Sequence, residues 1–354
     1  MDKLKVLVVG CGNMGASHAR SYHKITEYEL VGLVSRNPNP ARDSLALELG
    51  GVKQFNNFEE ALNETKPDIV SINTYTDTHK DFAIKSMQAG AHIFIEKPIA
   101  ESVEDAIEII NLARAKNKKI VVGYILRHHP TWNKFIEIAK TLDKPLVMRM
   151  NLNQQSYGNK WDTHKQLMKT TSPIVDCGVH YVDIMCQMTE SKPVRVNAIG
   201  ARLSNEISED MYNYGQLQVT FEDGSVGWYE SGWGPMMSET AYFVKDVIGP
   251  KGCVSIIDPK NDSANIDEHT KTNNLLLHYQ ERDKNGDFAK QDQLIDSKDE
   301  PNHQQLCDLE QIFLLKAILE NLDLTSHLND ATNSLKIVLA ADESIRKKRS
   351  IELD

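Results

Sequence analysis

The chain predicts a two-domain α/β protein. A doubly wound parallel sheet is expected over residues 1–123, and over 124–354 an α/β domain with a large open, mainly antiparallel sheet. Three observations predict this. Apolar runs and helical stretches take turns from residue 3 to 123, which is how parallel strands joined by crossover helices read. From residue 194 onward short strands follow one another through tight turns, the rhythm of antiparallel pairing. The 354 residues also exceed one core, because single cores stop growing at roughly 250 residues.

Composition narrows the function classes. With 40% apolar and 25% charged residues the chain reads as an ordinary globular protein. The formal charge of −10 argues against a nucleic-acid partner, whose phosphates need a basic face. No apolar run reaches the ~18 residues of a membrane span. The first strand begins almost at Met1 with no signal peptide before it, so a cytoplasmic protein is expected. The cysteines Cys11, Cys177, Cys186, Cys253 and Cys307 are odd in number and lack C-x-x-C spacing, so neither a disulfide framework nor a zinc knuckle is indicated.

The elements follow in order. Lys5-Val6-Leu7-Val8-Val9 is a buried strand that runs into Gly10-Cys11-Gly12-Asn13-Met14-Gly15. This G-x-G-x-x-G spacing suits a dinucleotide pyrophosphate, since a sharp strand-to-helix turn beside a phosphate needs residues without a Cβ, and the next helix aims free N–H groups at the anion. A helix is expected over 16–23 and a second strand over 28–34, ending in Ser35-Arg36-Asn37. NAD-binding folds usually hold a carboxylate there for the adenine ribose. Ser35 and Arg36 instead favour NADP(H) over NAD(H), because a guanidinium pairs with a 2′-phosphate through two charge-assisted bonds; the alternative is that Arg36 stacks on adenine or stands in solvent. Helices over 40–49 and 58–64, a short strand at 52–54 and a strand over 67–74 come next. The last of these ends in Asn73-Thr74-Tyr75-Thr76 at the sheet's carboxyl edge, where open α/β folds bind ligands. A helix over 79–89 stops at Gly90, and a strand over 91–95 delivers Glu96-Lys97-Pro98. A helix over 103–116 and a strand over 119–123 complete the alternation.

In the second half a helix over 132–141 and a strand over 145–152 lead to a polar and aromatic loop, 154–161, and then to a helical segment, 172–185. Strands follow at 194–202, 214–221, 226–231, 241–248 and 253–257, with Glu222-Asp223-Gly224-Ser225 as a hairpin turn. Residues 258–299 read as polar loops around a strand at 274–280, and helices over 303–321 and 330–347 close the chain. One helix layer covers one face of such a sheet, so the other face is expected to pair with another subunit.

Two places carry candidate chemistry. Asp176 and His180 are four apart on an expected helix, so both project from one face, and a carboxylate beside an imidazole fixes its tautomer and raises its basicity. Taken alone, such a pair also occurs as a surface or capping contact. Lys97 ends a strand, where it either faces solvent or hydrogen-bonds a substrate hydroxyl and relays its proton; Pro98 fixes that loop, with a cis bond as one option. His128, His129 and His164 show no ligand spacing, and no metal is expected. Tyr157, Trp228 and Trp233 either line a sugar pocket or pack in core or interface.

Together these residues resemble the glucose–fructose oxidoreductase/inositol dehydrogenase family, Gfo/Idh/MocA. The matches are Gly10-Cys11-Gly12-Asn13-Met14-Gly15 with His18; Thr74 and His79; Gly90; Glu96-Lys97-Pro98; Gly123 with Arg127 and Pro130; and Asp176-x-Gly178-x-His180-x-x-Asp183. The resemblance implies an N-terminal Rossmann domain, a C-terminal α/β domain whose open sheet mediates a homodimer or homotetramer, and reversible nicotinamide-dependent oxidation of a sugar, cyclitol or polyol hydroxyl. It implies Lys97, Asp176 and His180 as the catalytic group, with His180 as acid/base, Asp176 as its orienting partner and Lys97 on the reacting oxygen; some members give the proton to the lysine. Implied cofactor contacts are Gly10, Gly12, Asn13, Met14, Gly15, Ser35, Arg36, Thr74, His79, Glu96 and Lys97. Implied substrate contacts are Lys97, Arg127, Trp161, Asp176 and His180. The chain departs from the family at Ile125, where an Asn is common, at Thr170-Thr171-Ser172-Pro173, which replaces a glycine-rich approach to Asp176, and at Asp162, where an arginine sometimes follows the tryptophan. Other members reduce non-sugar substrates or act as cofactor-bound regulators; keeping Lys97, Asp176 and His180 together favours an enzyme.

Overall fold

The computed structural model describes residues 2–36, 39–238, 244–257, 272, 274–297 and 300–353. The chain divides into two compact units, residues 1–125 with 304–332, and residues 126–303 with 333–354.

In the first unit β1 (Leu4–Val9), β2 (Tyr28–Val34), β3 (Gln54–Phe55), β4 (Ile69–Ile72), β5 (His92–Ile95) and β6 (Ile120–Val122) form one sheet in the order β3-β2-β1-β4-β5-β6. Every pair is parallel, and the order turns back between β1 and β4, the switch point at which doubly wound sheets hold ligands. The strands read as unbroken apolar runs because both faces are covered: Val6, Leu7, Val8, Ile69, Val70, Ile93 and Phe94 are fully buried. The crossovers are α1 (Asn13–Lys24), α2 (Pro40–Glu48), α3 (Phe58–Thr65), α4 (His79–Gln88) and α5 (Val103–Lys116). Their ends follow from local chemistry. Asn57 and Ser102 accept from the backbone N–H groups of Glu60 and Asp105 at the starts of α3 and α5, and Lys66 and Asn117 end those helices in the left-handed region.

The second unit begins with α6 (Pro130–Thr141), β7 (Val147–Gln155) and α7 (Asn159–Leu167). A single π-helical turn, Ile174–Gly178, then runs directly into α8 (Val179–Thr189). The strands β8 (Pro193–Ala201), β9 (Tyr214–Phe221), β10 (Val226–Gly234), β11 (Lys245–Gly249), β12 (Gly252–Ile257), β13 (Asn274–Tyr279) and β14 (Gln293–Asp296) follow. Of the two closing helices, α9 (His303–Leu319) belongs to the first unit from Gln304 onward, and α10 (Thr325–Lys347) passes into the second unit at Asn333, where a short β15 (Ile351–Glu352) ends the chain. The nine-stranded sheet has the order β14-β13-β12-β11-β7-β10-β9-β8-β15, and only β7 and β10 pair in parallel.

One face of this sheet is core: Met148, Met150, Leu217, Val219, Tyr229 and Val247 are fully buried or nearly so. On the other face Ile248, Val147 and Val226 stand in register on three adjacent strands, each more than a third exposed. The expected hairpin is present, with Gly224 at φ +82° between β9 and β10.

Several expectations are corrected. The loop expected over 154–161 is shorter, because β7 continues through Gln155 and α7 starts at Asn159, after Gly158 reverses the chain at φ +55°. The helix expected through 172–185 opens with a π turn. The polar stretch contains β14, and β15 adds a last edge strand. Asn37, residues 241–243 of one expected strand and 258–271, 273 and 298–299 of the expected loops lie outside the described residues.

Gly15 gives a direct test of the first unit. A Cβ there would meet the Gly10 carbonyl oxygen at 1.9 Å, which is backbone and has nowhere to go. Gly15→Ala is expected to cost at least about 1–3 kcal/mol, read as a lower urea midpoint with an unchanged slope.

Candidate functional site

In the first unit the end of β1 and the start of α1 form a tight turn against the end of β4. Gly10 has φ +89°, and a Cβ on it would lie 2.5 Å from the Asn73 carbonyl oxygen. Gly12 has nothing within 4 Å of the position a Cβ would take, so the turn is open on that side. No side chain caps α1 at Gly12, and Asn13 and Met14 form its first turn. Uncapped N–H groups at a helix start beside an open glycine fit a pyrophosphate. The glycine spacing is therefore matched by geometry that such a group requires.

At the end of β2, Ser35 is half-buried and Arg36 is exposed. Arg42, which the sequence gave no reason to single out, is the buried guanidinium of this corner: it donates to the Phe55 carbonyl at 3.0 Å, to Asn56 Oδ1 at 2.7 Å and to Gln54 Oε1 at 2.9 Å. Its charge is spent on holding β2 and β3 together, which leaves Arg36 as the guanidinium facing outward.

The Glu96-Lys97-Pro98 turn is clamped from two sides. Buried His79 sets Nδ1 3.0 Å from the Pro98 carbonyl and Nε2 3.1 Å from the Thr74 carbonyl, tying this turn to the end of β4. Burial lowers the His79 pKa, with the two carbonyls opposing. Thr74 Oγ1 is 2.6 Å from Thr78 Oγ1. Glu96 is buried, with Oε1 2.9 Å from His18 Nε2, while its Oε2 accepts from the Lys97 N–H at 3.2 Å. Burial raises its carboxyl pKa, but His18 and the charge of Lys97 win and hold it below the ordinary value. Lys97 itself is half-buried, and its peptide bond to Pro98 is cis.

His18 spends its second nitrogen too: Nδ1 lies 3.0 Å from Gln311 Nε2 of α9. An amide donor at Nδ1 leaves Nε2–H to donate to Glu96. His18, Cys307 and Glu310 place one donor atom each within 4.8 Å of one another, the one such grouping among the described residues, but both His18 nitrogens are already engaged by Glu96 and Gln311. Burial pushes the Cys307 thiol up, and burial and the charge of Glu96 push the Glu310 carboxyl well above the ordinary carboxylate range.

In the second unit Arg127 lies in a 3-10 turn, Ile125–His128, and forks onto Asp183 of α8, with Nε to Oδ2 at 2.8 Å and Nη2 to Oδ1 at 2.6 Å. Gln187 Nε2 adds a third bond to Oδ2 at 3.0 Å. Burial pushes the Asp183 carboxyl up and Arg127 pulls it back. Asp176 and His180 are both half-buried, Asp176 on the π turn and His180 in the first turn of α8. A π turn carries one residue more than an α turn, so the i,i+4 pair straddles a junction rather than one regular helix face.

The turn is fixed by Ser172 and Gly178. Ser172 Oγ accepts from the Val175 N–H at 3.2 Å and lies 2.8 Å from both Asp342 Oδ1 and the Tyr212 hydroxyl. At Gly178 a Cβ would press on the Tyr229 ring at 2.9 Å. Cys177 Sγ lies 3.6 Å from Asp176 Oδ2 and from Gln154 Oε1, which also accepts from Trp233 Nε1 at 2.8 Å. His164 stacks on Trp233 at 4.3 Å and bonds Ser156 Oγ at 3.0 Å.

Trp161 and Trp233 are both buried and pack with Met168 and Ile207, and Trp161 Nε1 donates to Glu206 at 3.1 Å. Tyr157 is exposed, and Trp228 is half-buried in register with Arg149. The structure thus places Glu96, Lys97, Thr74 and His79 together, and separately Asp176, His180 and Arg127 in the second unit. Gln311, Asp342 and Tyr212 were not singled out in the sequence, since no spacing links them to the motifs they touch.

Burial holds both His128 and His164 near pKa 4, against an ordinary 6.5; the charge of Arg127 adds to this for His128, whereas Asp176 opposes it for His164. The unfolded chain takes these protons near pH 6.5 and the folded chain only near 4, so the stability present above 6.5 is lost as pH falls through that window. The urea midpoint is expected to drop between those values, and less steeply in His164→Gln.

Comparison with known proteins bears on both units. Residues 4–124 match the family described as an oxidoreductase family with an NAD-binding Rossmann fold, and residues 139–254 match the GFO/IDH/MocA C-terminal domain. A UDP-N-acetylglucosamine 3-dehydrogenase of Acidithiobacillus ferrooxidans is 29% identical over 207 residues, 56% of this chain and 59% of that one. A glucose-6-phosphate 3-dehydrogenase of Bacillus subtilis is 25% identical, over 60% of this chain and 64% of its own length. The matches to these two relatives therefore span less than two thirds of each. In structure, a scyllo-inositol dehydrogenase from Lactobacillus casei with bound NAD(H) and scyllo-inositol superposes with a TM-score of 0.77 at 20% identity, covering 99% of both chains. At that identity the likeness is one of fold. Among the described residues no helix is long and apolar enough to cross a membrane.

Proposed function

The chain belongs to the Gfo/Idh/MocA oxidoreductases, and from that premise we propose that it exchanges a hydride between a nicotinamide cofactor and a carbinol carbon of a sugar, inositol or related polyol. The observation that carries this reading is Lys97, presented at the carboxyl edge of β5 on a turn that His18 and His79 lock from either side. A lysine so constrained is arranged for a task that a solvent-facing loop residue does not have. Asp176 and His180, half-buried where a π turn meets α8, supply the acid/base pair.

The roles follow from chemistry. Gly10, Gly12, Asn13, Met14 and Gly15 would hold the pyrophosphate, with Thr74 and His79 shaping the adjoining edge. A bound nicotinamide supplies the hydride acceptor. In the roles that the family resemblance gives, His180 would take the hydroxyl proton with Asp176 as its orienting partner, and Lys97 would bind the reacting oxygen. Arg127 fixes α8 through Asp183, and its place at the substrate is the one the family resemblance gives it. Trp161, buried with Trp233, shapes the unit from within.

Purified protein with NAD⁺ or NADP⁺ and a panel of inositols and aldoses is expected to show reduced nicotinamide by absorbance. Lys97→Ala and His180→Ala should each lower kcat by about 10²–10⁴, with cofactor binding intact in His180→Ala; no turnover of any polyol by the parent, or full turnover by both variants, overturns the reading.

The coenzyme preference is assigned to Ser35 and Arg36, in favour of NADP(H): no carboxylate stands there to repel a 2′-phosphate, and Arg36 points outward while Arg42 is committed inward. The parent should bind NADPH more tightly than NADH by fluorescence titration, and Arg36→Ala should erase the difference. Equal loss for both coenzymes would remove Arg36 from that role.

The outer face of the nine-stranded sheet, with its apolar row of Ile248, Val147 and Val226, supports a homodimer or homotetramer built on that face.

A further inference from the structure

We propose that His18 and Glu96 are positioning residues that couple the phosphate-facing end of α1 to Lys97, so that docking of the dinucleotide's phosphates sets the lysine for its proton step. This deepens the reading of the preceding section and rests on it.

The path is short and continuous. Gly15 is wedged against the Gly10 carbonyl, so α1 cannot slide relative to the glycine turn. His18 follows Gly15 by three residues on the same helix, and so lies one turn in from the uncapped N–H groups. Its ring is fully buried and packs on Phe94 of β5 at 4.5 Å. Nε2 meets Glu96 Oε1 at 2.9 Å, and the other oxygen of the same carboxylate takes the Lys97 N–H at 3.2 Å. A displacement of α1 is thus transmitted through one imidazole and one carboxylate to the Lys97 backbone.

Two residues of α9 keep this path in one state. Gln311, fully buried, engages His18 Nδ1 and so selects the tautomer that donates to Glu96. Glu310, 1% exposed with neither carboxylate oxygen hydrogen-bonded, has its carboxyl pushed well up by burial and the charge of Glu96, whereas Glu96 is held below the ordinary value. The chain therefore buries a polar relay of His18, Glu96 and Gln311 where an apolar contact would have packed the helix as well. Apolar replacement costs no desolvation, so packing alone does not account for it.

The test uses ADP-ribose, which carries the adenine, riboses and pyrophosphate but no nicotinamide to touch Lys97. Binding is measured by calorimetry, and Lys97 reactivity by limited acylation with peptide mapping. In the parent, saturating ADP-ribose should change the Lys97 acylation rate at least about fivefold, the low end of site-to-site couplings. His18→Phe keeps a ring against Phe94 and should bind ADP-ribose comparably, yet lose the Lys97 response. Its polyol kcat should fall with KM unchanged. Glu96→Gln should weaken the response, since an amide whose oxygen accepts from the Lys97 N–H turns its NH2 toward His18 Nε2–H and offers that donor no acceptor. If His18→Phe does not fold, Gln311→Leu frees the second nitrogen and is read the same way.

Unchanged Lys97 reactivity in the parent, or a retained response in His18→Phe and Gln311→Leu, overturns the proposal. The acylation assay needs no polyol. A coupled Lys97 without polyol turnover would refute the proposed function alone, and turnover without coupling would refute this inference alone.

Discussion

The close approach of the β1–α1 turn to the end of β4 is the constraint on which the first unit depends. It exists because Gly10 and Gly15 have no Cβ: added there, one would sit 2.5 Å from the Asn73 carbonyl and the other 1.9 Å from that of Gly10. Real Cβ atoms do not approach backbone oxygens that closely, so any side chain at Gly15 would push α1 away from the sheet. Three features then follow together. The helix starts with its N–H groups uncapped, the turn stays open at Gly12, and His18 is carried inward as far as Glu96.

Buried charge is handled by pairing or by neutralisation, and each choice has a geometric consequence. Asp183, fully buried, is held by two bonds from Arg127 and one from Gln187. Removing one partner of such a pair costs several kcal/mol, because the other is left charged in a low dielectric. The pair therefore fixes the register of α8 against the 3-10 turn that carries Arg127, and His180 lies three residues before Asp183 on that helix. Arg127 thus acts first on where His180 stands. Ser172 does the same for the other half of the pair: hydrogen-bonded to Asp342 and Tyr212, it caps the π turn that carries Asp176.

Much of this was legible in the sequence, for reasons that can be named. The strict alternation over residues 3–123 and the glycine spacing specified the parallel sheet, because buried strands need apolar runs and the phosphate turn tolerates nothing else at Gly10 and Gly15. The π turn was illegible because Asp176 and His180 are four apart whether the turn between them is α or π. The edge strands β14 and β15 are polar or very short, and they exist because a neighbouring strand offers free ladder groups. Gln311 touches His18 from 293 residues away, so no local pattern announces it. Trp161 and Trp233 carry the composition of a sugar platform and sit buried instead, since a large aromatic fills a core equally well.

What distinguishes the two candidate sites is how neighbouring groups are driven to different protonation states. Glu96 and Glu310 are both buried, and His18 with Lys97 lower the first while burial and the first one's charge raise the second. Burial and mutual repulsion disfavour a second charge, so the two carboxyls are driven in opposite directions. That asymmetry gives the Lys97 backbone a full negative charge as its partner. Near Asp176 the same physics acts on an imidazole: burial keeps His164 neutral at neutral pH despite the opposing carboxylate. Asp176 therefore meets no imidazolium from that side, although it lies close enough to His164 to oppose the effect of burial.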